Sequence, residues 1–301
     1  MSEFFLELFS EEIPAGLQKN LREKLLEEFQ KFFIEKSIKS KTSYSFSTPN
    51  RLVIVFEKLE KEINIESKEI KGPKTDAPEQ ALDGFIRSNK IEKKDLFKGK
   101  NEKGEFFFYK TKPKSLKTHD LLTKFIPKLL ESHQWKESMK WGEFDLNWGR
   151  PLKSILSVFD KRIINFIFHH LASSNSTYID KDFEDKKKFF ENFKTYEKYF
   201  ETQGIIINQN KREKLINLQF SKLLNKRQLT IKHNPRLIDE VVNLVDNPNV
   251  LLCKFDKNFL PIPKEILTLT MQTHQKYFPT FNYKDEITNE FLIVTNKKDQ
   301  K

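Results

Sequence analysis

Several groupings in this chain have residue types that could do chemistry, and each has a plainer reading. His119-Asp120 has the composition of a metal-ligand pair in a phosphohydrolase, a site that needs further His and Asp ligands placed elsewhere. Thr118 or Asp120 fits better as the cap of a helix beginning near Leu121. His169 and His170 are adjacent, so on a strand they would face opposite sides and could not share one ion. Cys253 follows the apolar run Val250-Leu251-Leu252, which favours a buried, inert thiol over a nucleophile. Glu11 and Glu12 lie at a strand-to-helix turn, where negative charge suits a helix N-terminus without catalysis. No Gly-rich phosphate loop of either common type is present, and 8 glycines leave little material for one. Neither His-Glu-x-x-His nor Cys-x-x-Cys spacing occurs, so no catalytic or metal site is visible.

The elements that would position these residues follow from periodicity. Residues 4–9 read as a strand, and Ile13-Pro14 introduces a helix whose Leu17, Leu21, Leu25, Phe29 and Phe33 recur at every fourth position. Residues 43–47 alternate around Tyr44 and Phe46, and 52–56 form a continuous apolar run, so two strands flank a Thr48-Pro49-Asn50 turn. Lys71-Gly72-Pro73 reads as a break, followed by a helix over 79–87, a polar loop over 98–104 and a strand over 106–109. The stripe Leu121, Leu122, Phe125, Ile126, Leu129 and Leu130 predicts a helix that Pro127 must kink or delay. Residues 155–159 and 163–168 predict a hairpin closed near Asp160-Lys161, and the charged stretch 181–198 reads as the least ordered interior segment. A strand over 205–207, a helix over 211–225 and a second helix over 236–245, with Leu237, Val241 and Leu244 on one face, come next. Residues 250–255 and 291–295 read as strands. Strands often neighbour strands, which predicts an α+β fold, divided into regions 1–168 and 169–301.

Of the 301 residues, 37% are hydrophobic and 32% charged, the balance of a soluble protein with a highly charged surface. Lys and Arg number 54 against 43 Asp and Glu, a formal charge of +11. Two origins account for the excess. A polyanionic partner would select it, because side chains that neutralise phosphates release condensed counterions. Coding DNA rich in A and T would also produce it, since Phe, Lys, Asn and Ile are abundant. The single Cys253 excludes an intrachain disulfide and a Cys-based zinc cluster, which points to a reducing compartment. The opening MSEFFLELFSEE carries acid where a secretory signal carries base, and no apolar stretch nears the roughly 20 residues of a membrane span. A cytoplasmic protein without a membrane partner is expected.

Five separated blocks carry a resemblance. They are Phe5-Leu6-Glu7-Leu8 through Ser10-Glu11-Glu12-Ile13-Pro14; Thr48-Pro49-Asn50-Arg51-Leu52 with Lys71-Gly72-Pro73; and Met139-Lys140-Trp141-Gly142 with Arg150-Pro151. The fourth runs from Leu237-Ile238-Asp239-Glu240-Val241 to Pro263-Lys264-Glu265, and the fifth is Met271-Gln272-Thr273-His274-Gln275-Lys276-Tyr277-Phe278. In this order the blocks resemble the β subunit of the two-subunit bacterial glycyl-tRNA synthetases. Lys153 stands where that family usually has His, and residues 173–183 replace a segment that commonly ends in Gly-His-Arg-Phe.

The resemblance implies a non-catalytic subunit of glycine–tRNA ligase. A separate class II α subunit would activate glycine with ATP and magnesium in an α2β2 enzyme, and the β subunit would supply most contacts to tRNA(Gly). No cofactor is expected in this chain itself. Part of it should resemble the B3/B4 region of the phenylalanyl-tRNA synthetase β subunit. The family's β subunit continues into an HD-type domain and an anticodon-binding-like region, so a fragment or truncated product is expected. The candidate contacts to tRNA or the α subunit are Arg51, Lys71, Arg150, His274, Gln275 and Lys276. A stand-alone RNA-binding module and a decayed structural paralogue are the alternatives.

Overall fold

A computed structural model describes residues 2–101, 104–133, 135, 137–179 and 186–296. The chain opens with β1 (Glu3–Ser10), α1 (Ala15–Glu35), β2 (Thr42–Thr48) and β3 (Arg51–Glu57). Next come β4 (Glu62–Ile65), β5 (Glu69–Lys74), α2 (Glu79–Asn89), β6 (Leu96–Asn101), β7 (Gly104–Lys110), β8 (Lys114–Lys117) and α3 (Thr118–Ser132). The strands β9 (Leu152–Phe159), β10 (Arg162–Ile163), β11 (Ile167–Phe168), β12 (Leu171–Ser174), β13 (Ser176–Tyr178) and β14 (Lys187–Phe189) follow. The last stretch holds α4 (Phe193–Thr202), α5 (Gln209–Arg227), β15 (Thr230–Ile231), α6 (Pro235–Leu244), β16 (Pro248–Lys254), α7 (Lys264–His274), β17 (Phe278–Phe281) and β18 (Ile287–Asn296). The fold is α+β. No helix among the described residues is long and apolar enough to cross a membrane.

Two compact units form: Met1–Leu59 with Leu122–Lys301, and Glu60–Leu121. The larger is built on a seven-stranded sheet of order β11-β12-β9-β1-β3-β2, with β10 also on β9. Its pairs are antiparallel except β12 on β9. Central β1 is buried along nearly its whole length because both faces are covered. Phe4 packs on Phe29 of α1, and Phe5 on Tyr196 of α4. A second sheet, β15-β17-β18-β16, carries a core shared with α5 and α6. The smaller unit holds the sheet β5-β7-β6 and the pair β4-β8.

Several expectations are corrected. The 71–73 segment is not a break but lies inside β5, where a bulge between Lys71 and Lys74 relieves Pro73 of a ladder hydrogen bond. Residues 98–101 of the expected polar loop belong to β6, paired to β7, which Gly104 opens, while 102–103 lie outside the described residues. Within 181–198, residues 181–185 lie outside the described residues; beyond them β14 and α4 are ordered by burial of Phe190, Tyr196 and Phe200. Residues 205–207 are not a strand. They are an extended link that buries Ile205 and Ile207 without a neighbouring ladder. His169 and His170 occupy a turn rather than a strand, with His169 at φ 51°. α3 starts at Thr118, three residues early, and runs through Pro127. Leu244 faces outward while Val242 takes its place in the core.

Candidate functional site

Three of the family-like blocks meet at one end of the large sheet. The Ser10 amide donates to the Asn50 carbonyl (2.9 Å), Ile13 to Pro49 (2.7 Å) and Glu11 to Pro151 (2.9 Å). Asn50 returns a side-chain bond to Ser10 (3.1 Å). Glu11 pairs with Lys153 at 2.7 Å, so its charge serves this junction rather than the start of α1. These short motifs are thus one interlocked turn cluster, and Lys153, the departure from the family pattern, is built into it.

Strand alternation then places a carboxylate inside. Phe5, Glu7 and Phe9 share one face of β1, and the register of β3 puts Arg51 opposite Phe9. The Arg51 guanidinium lies 4.6 Å from the Phe9 ring centroid and 4.5 Å from that of Phe200. Its Nη2 donates to the carbonyls of Tyr178 and Ile179, each at 2.8 Å, and its Nε is 3.7 Å from Glu7. Glu7 also accepts hydroxyl hydrogen bonds from Thr177 and Tyr196. Burial pushes the Glu7 carboxyl above its ordinary range, while Arg51 and the two hydroxyls hold it back. Arg51 is 1% exposed. It therefore acts from the interior.

A cleft of about 750 Å³ opens between α1 and the N-terminal turns of α5 and α6, lined among others by Lys19, Arg22, Glu213, Arg236 and Asp239. Arg22 is buried, donating to Ser47 Oγ (3.0 Å) and, at longer range, Asn243 Oδ1 (3.5 Å). Burial lowers its pKa, opposed by Glu23 and Asp239. Gln18, one turn earlier, donates to the carbonyls of Ile13 and Asn243. The cleft holds both charge signs, and its floor chemistry is that of a structural tie.

Arg150 is half-buried and its Nη1 donates to the Gly149 carbonyl at 2.7 Å. Gly149 is required there because the Trp135 ring lies where a Cβ would stand. Trp135, Trp148 and His133 pack edge to face or tilted beside it. Burial lowers the His133 pKa, helped by Lys24 and opposed by Glu28. A histidine depressed in the folded state supplies stability that is present above its ordinary value of 6.5 and lost as pH falls through the folded value. The melting temperature should therefore drop on acidification below about pH 6.5, and His133→Gln should flatten that drop. An unchanged acid slope in the variant would remove His133 from the account.

The fifth block spans the junction from α7 into β17. Met271 and Phe278 are buried, and the half-buried Tyr277 stacks on Phe291 (4.9 Å). Lys276 adopts φ 58° and pairs with Glu240 at 2.9 Å, while His274 and Gln275 are exposed. Lys71, in the smaller unit, is exposed with Nζ 3.5 Å from the Phe106 ring centroid.

A sequence model described as glycyl-tRNA synthetase beta subunit matches residues 4–301. The chain belongs to that family. The glycine–tRNA ligase beta subunit of Rickettsia akari (strain Hartford) is 36% identical over 296 residues, covering 98% of this chain and 45% of the relative. Its counterpart in Rickettsia prowazekii (strain Madrid E) is 38% identical over 297 residues, covering 98% and 44% respectively. The chain thus spans somewhat under half the length of the curated relatives it matches. The buried polar residues Glu7, Arg22, Thr177, Tyr196 and Arg212 escaped the sequence reading. Only Glu7 left a signal, as the lone charge inside an apolar strand.

Proposed function

We propose that the chain works as part of the β subunit of a glycine–tRNA ligase in the cytoplasm. A separate α subunit would activate glycine with ATP and magnesium, and two copies of each would form the enzyme that charges tRNA(Gly). Family membership along residues 4–301 carries this reading. The net charge of +11 agrees with a tRNA partner. Among the candidate contacts, Lys71, His274 and Gln275 present exposed side chains, and Arg150 and Lys276 half-buried ones. Arg51 would act indirectly, through its buried pairing with Glu7 inside the large sheet.

Co-expression with the α subunit from the same genome tests the assignment. The two chains should co-elute in size-exclusion chromatography, and tRNA(Gly) should bind with an affinity that falls as salt rises. The purified chain alone should not catalyse glycine-dependent pyrophosphate exchange. An α subunit that elutes separately while RNA is still held would make the chain a stand-alone RNA-binding module.

A further inference from the structure

The sheet β5-β7-β6 of the smaller unit has two unlike faces. Antiparallel register puts Ile70, Phe107, Tyr109 and Leu96 on one side. That side is closed by α2: a Cβ on Gly72 would stand 2.9 Å from the Phe85 ring, and Leu82 is buried. The same register puts Lys71, Lys74, Phe97, Phe106 and Phe108 on the opposite side. Here Phe97 is 40% exposed, Phe108 is half-buried, and both lysines are exposed.

We propose that this open face is a stacking platform for unpaired nucleotides of an RNA strand. Three observations carry it. First, Gly99 sits under Phe108. A Cβ there would meet the Phe108 ring at 2.7 Å, so the absent side chain lets that ring lie down across β6. Second, Phe108 stacks on Phe97 with centroids 5.8 Å apart and planes 23° from parallel, and Phe97 of this near-parallel pair remains 40% exposed. Third, this face carries a positive excess. Lys71, Lys74 and Lys110 share the face with the single acid Glu69. None of these lysines forms an ion pair within 4.0 Å among the described residues. Aromatic faces bordered by free cations are the recognition chemistry of single-stranded nucleic acid: bases stack on the rings while lysines follow the phosphates. In a duplex the base faces are already occupied, so the platform selects unpaired segments. Lys71 thereby gains a role as a phosphate contact held over Phe106.

The choice of RNA as the polyanion rests on the function proposed above; the platform geometry does not. A labelled single-stranded oligouridylate, and the same strand annealed to its complement, are titrated onto the full chain. The single strand should bind and the duplex should bind more weakly. Phe97→Ser and Phe108→Ser should each weaken single-strand binding about 5- to 100-fold. Lys71→Ala should reduce the slope of log affinity against log salt by about 0.7. Leu218→Ser, which removes an exposed apolar side chain from α5, should change nothing. If Phe108→Ser fails to fold, the half-exposed Phe97 variant and photocrosslinking of 5-iodouridine RNA to β6 and β7 decide the matter. Affinity kept in Phe97→Ser, or equal binding of duplex, overturns the platform. So does loss of α-subunit binding with RNA binding intact, which would make this a protein-docking face. Failure of α-subunit co-elution in the unmodified chain instead sinks the proposed function and leaves the platform standing.

Discussion

Replacing Arg51 with methionine should lower stability by about 3–5 kcal/mol at neutral pH, and the loss should shrink as the pH falls. The magnitude follows from leaving Glu7 as a fully buried carboxylate without its cation. The pH dependence follows from what Glu7 can do about it. Burial already raises its pKa, and without Arg51 the rise is larger. A raised folded-state value means stability that is present below the unfolded value and lost as pH rises through the folded one. Acidification should therefore recover up to about 1.4 kcal/mol per pH unit in the variant. Glu7→Gln breaks the same pair from the other side and removes the titrating carboxyl, and a guanidinium cannot shed its proton, so this variant's stability should not recover on acidification as that of Arg51→Met does. The double variant should lose less than the sum of the two, by about 2 kcal/mol. Denaturant midpoints across a pH series measure all three. Additive losses, or an Arg51→Met loss below about 1 kcal/mol, would mean that Arg51 is not committed to the interior.

What the sequence showed and hid separates along the same line. Apolar alternation and turn chemistry were legible: the β2–β3 hairpin and the α+β class follow from local pattern. The buried face of α1 was only half legible. Positions every four residues drift by about 40° per step around a helix of 3.6 residues per turn, so the stripe is only half-buried at Leu17 and Leu21 and reaches the core at Leu25, Phe29 and Phe33. The buried face runs Ala15, Gln18, Arg22, Leu25, Phe29, Phe32 and Phe33. Gln18 and Arg22 are polar, and their burial rests on Asn243, far along the chain, together with Ile13 and Ser47. The strand β6 was hidden because Lys98 and Lys100 read as loop until β7 supplies the ladder. The family blocks were visible as letters, while their meeting at Asn50, Ser10 and Pro151 is a property of the fold.

Arg212 hides most completely and should cost as much as the Arg51 pair. On α5 it reads as one of many solvated cations, yet it is 0% exposed. Its Nε donates to Val242 (3.0 Å), Nη1 to Ile206 (2.6 Å) and Ile207 (3.0 Å), and Nη2 to Ser47 (2.8 Å), all backbone carbonyls. One side chain thus ties β2, the 205–207 link and the end of α6 to α5. This also explains why 205–207 needs no strand partner, since two of its carbonyls are satisfied here. Burial lowers the Arg212 pKa to about 10, with Asp246 opposing. The charge is stabilised by carbonyl dipoles rather than by a carboxylate within ion-pair distance. Arg212→Met removes four charge-assisted donors and should cost about 3–5 kcal/mol. Arg212→Lys keeps the charge but not the planar fork that reaches four acceptors in three directions, so it should recover only a minor part. Thermal melting of both variants, with hydrogen exchange followed at the Ile206 amide, is the measurement. The Ile206 amide, which donates to Asp246, should lose protection in both. A lysine variant as stable as the parent would show that charge alone, not the fork, holds the three elements together.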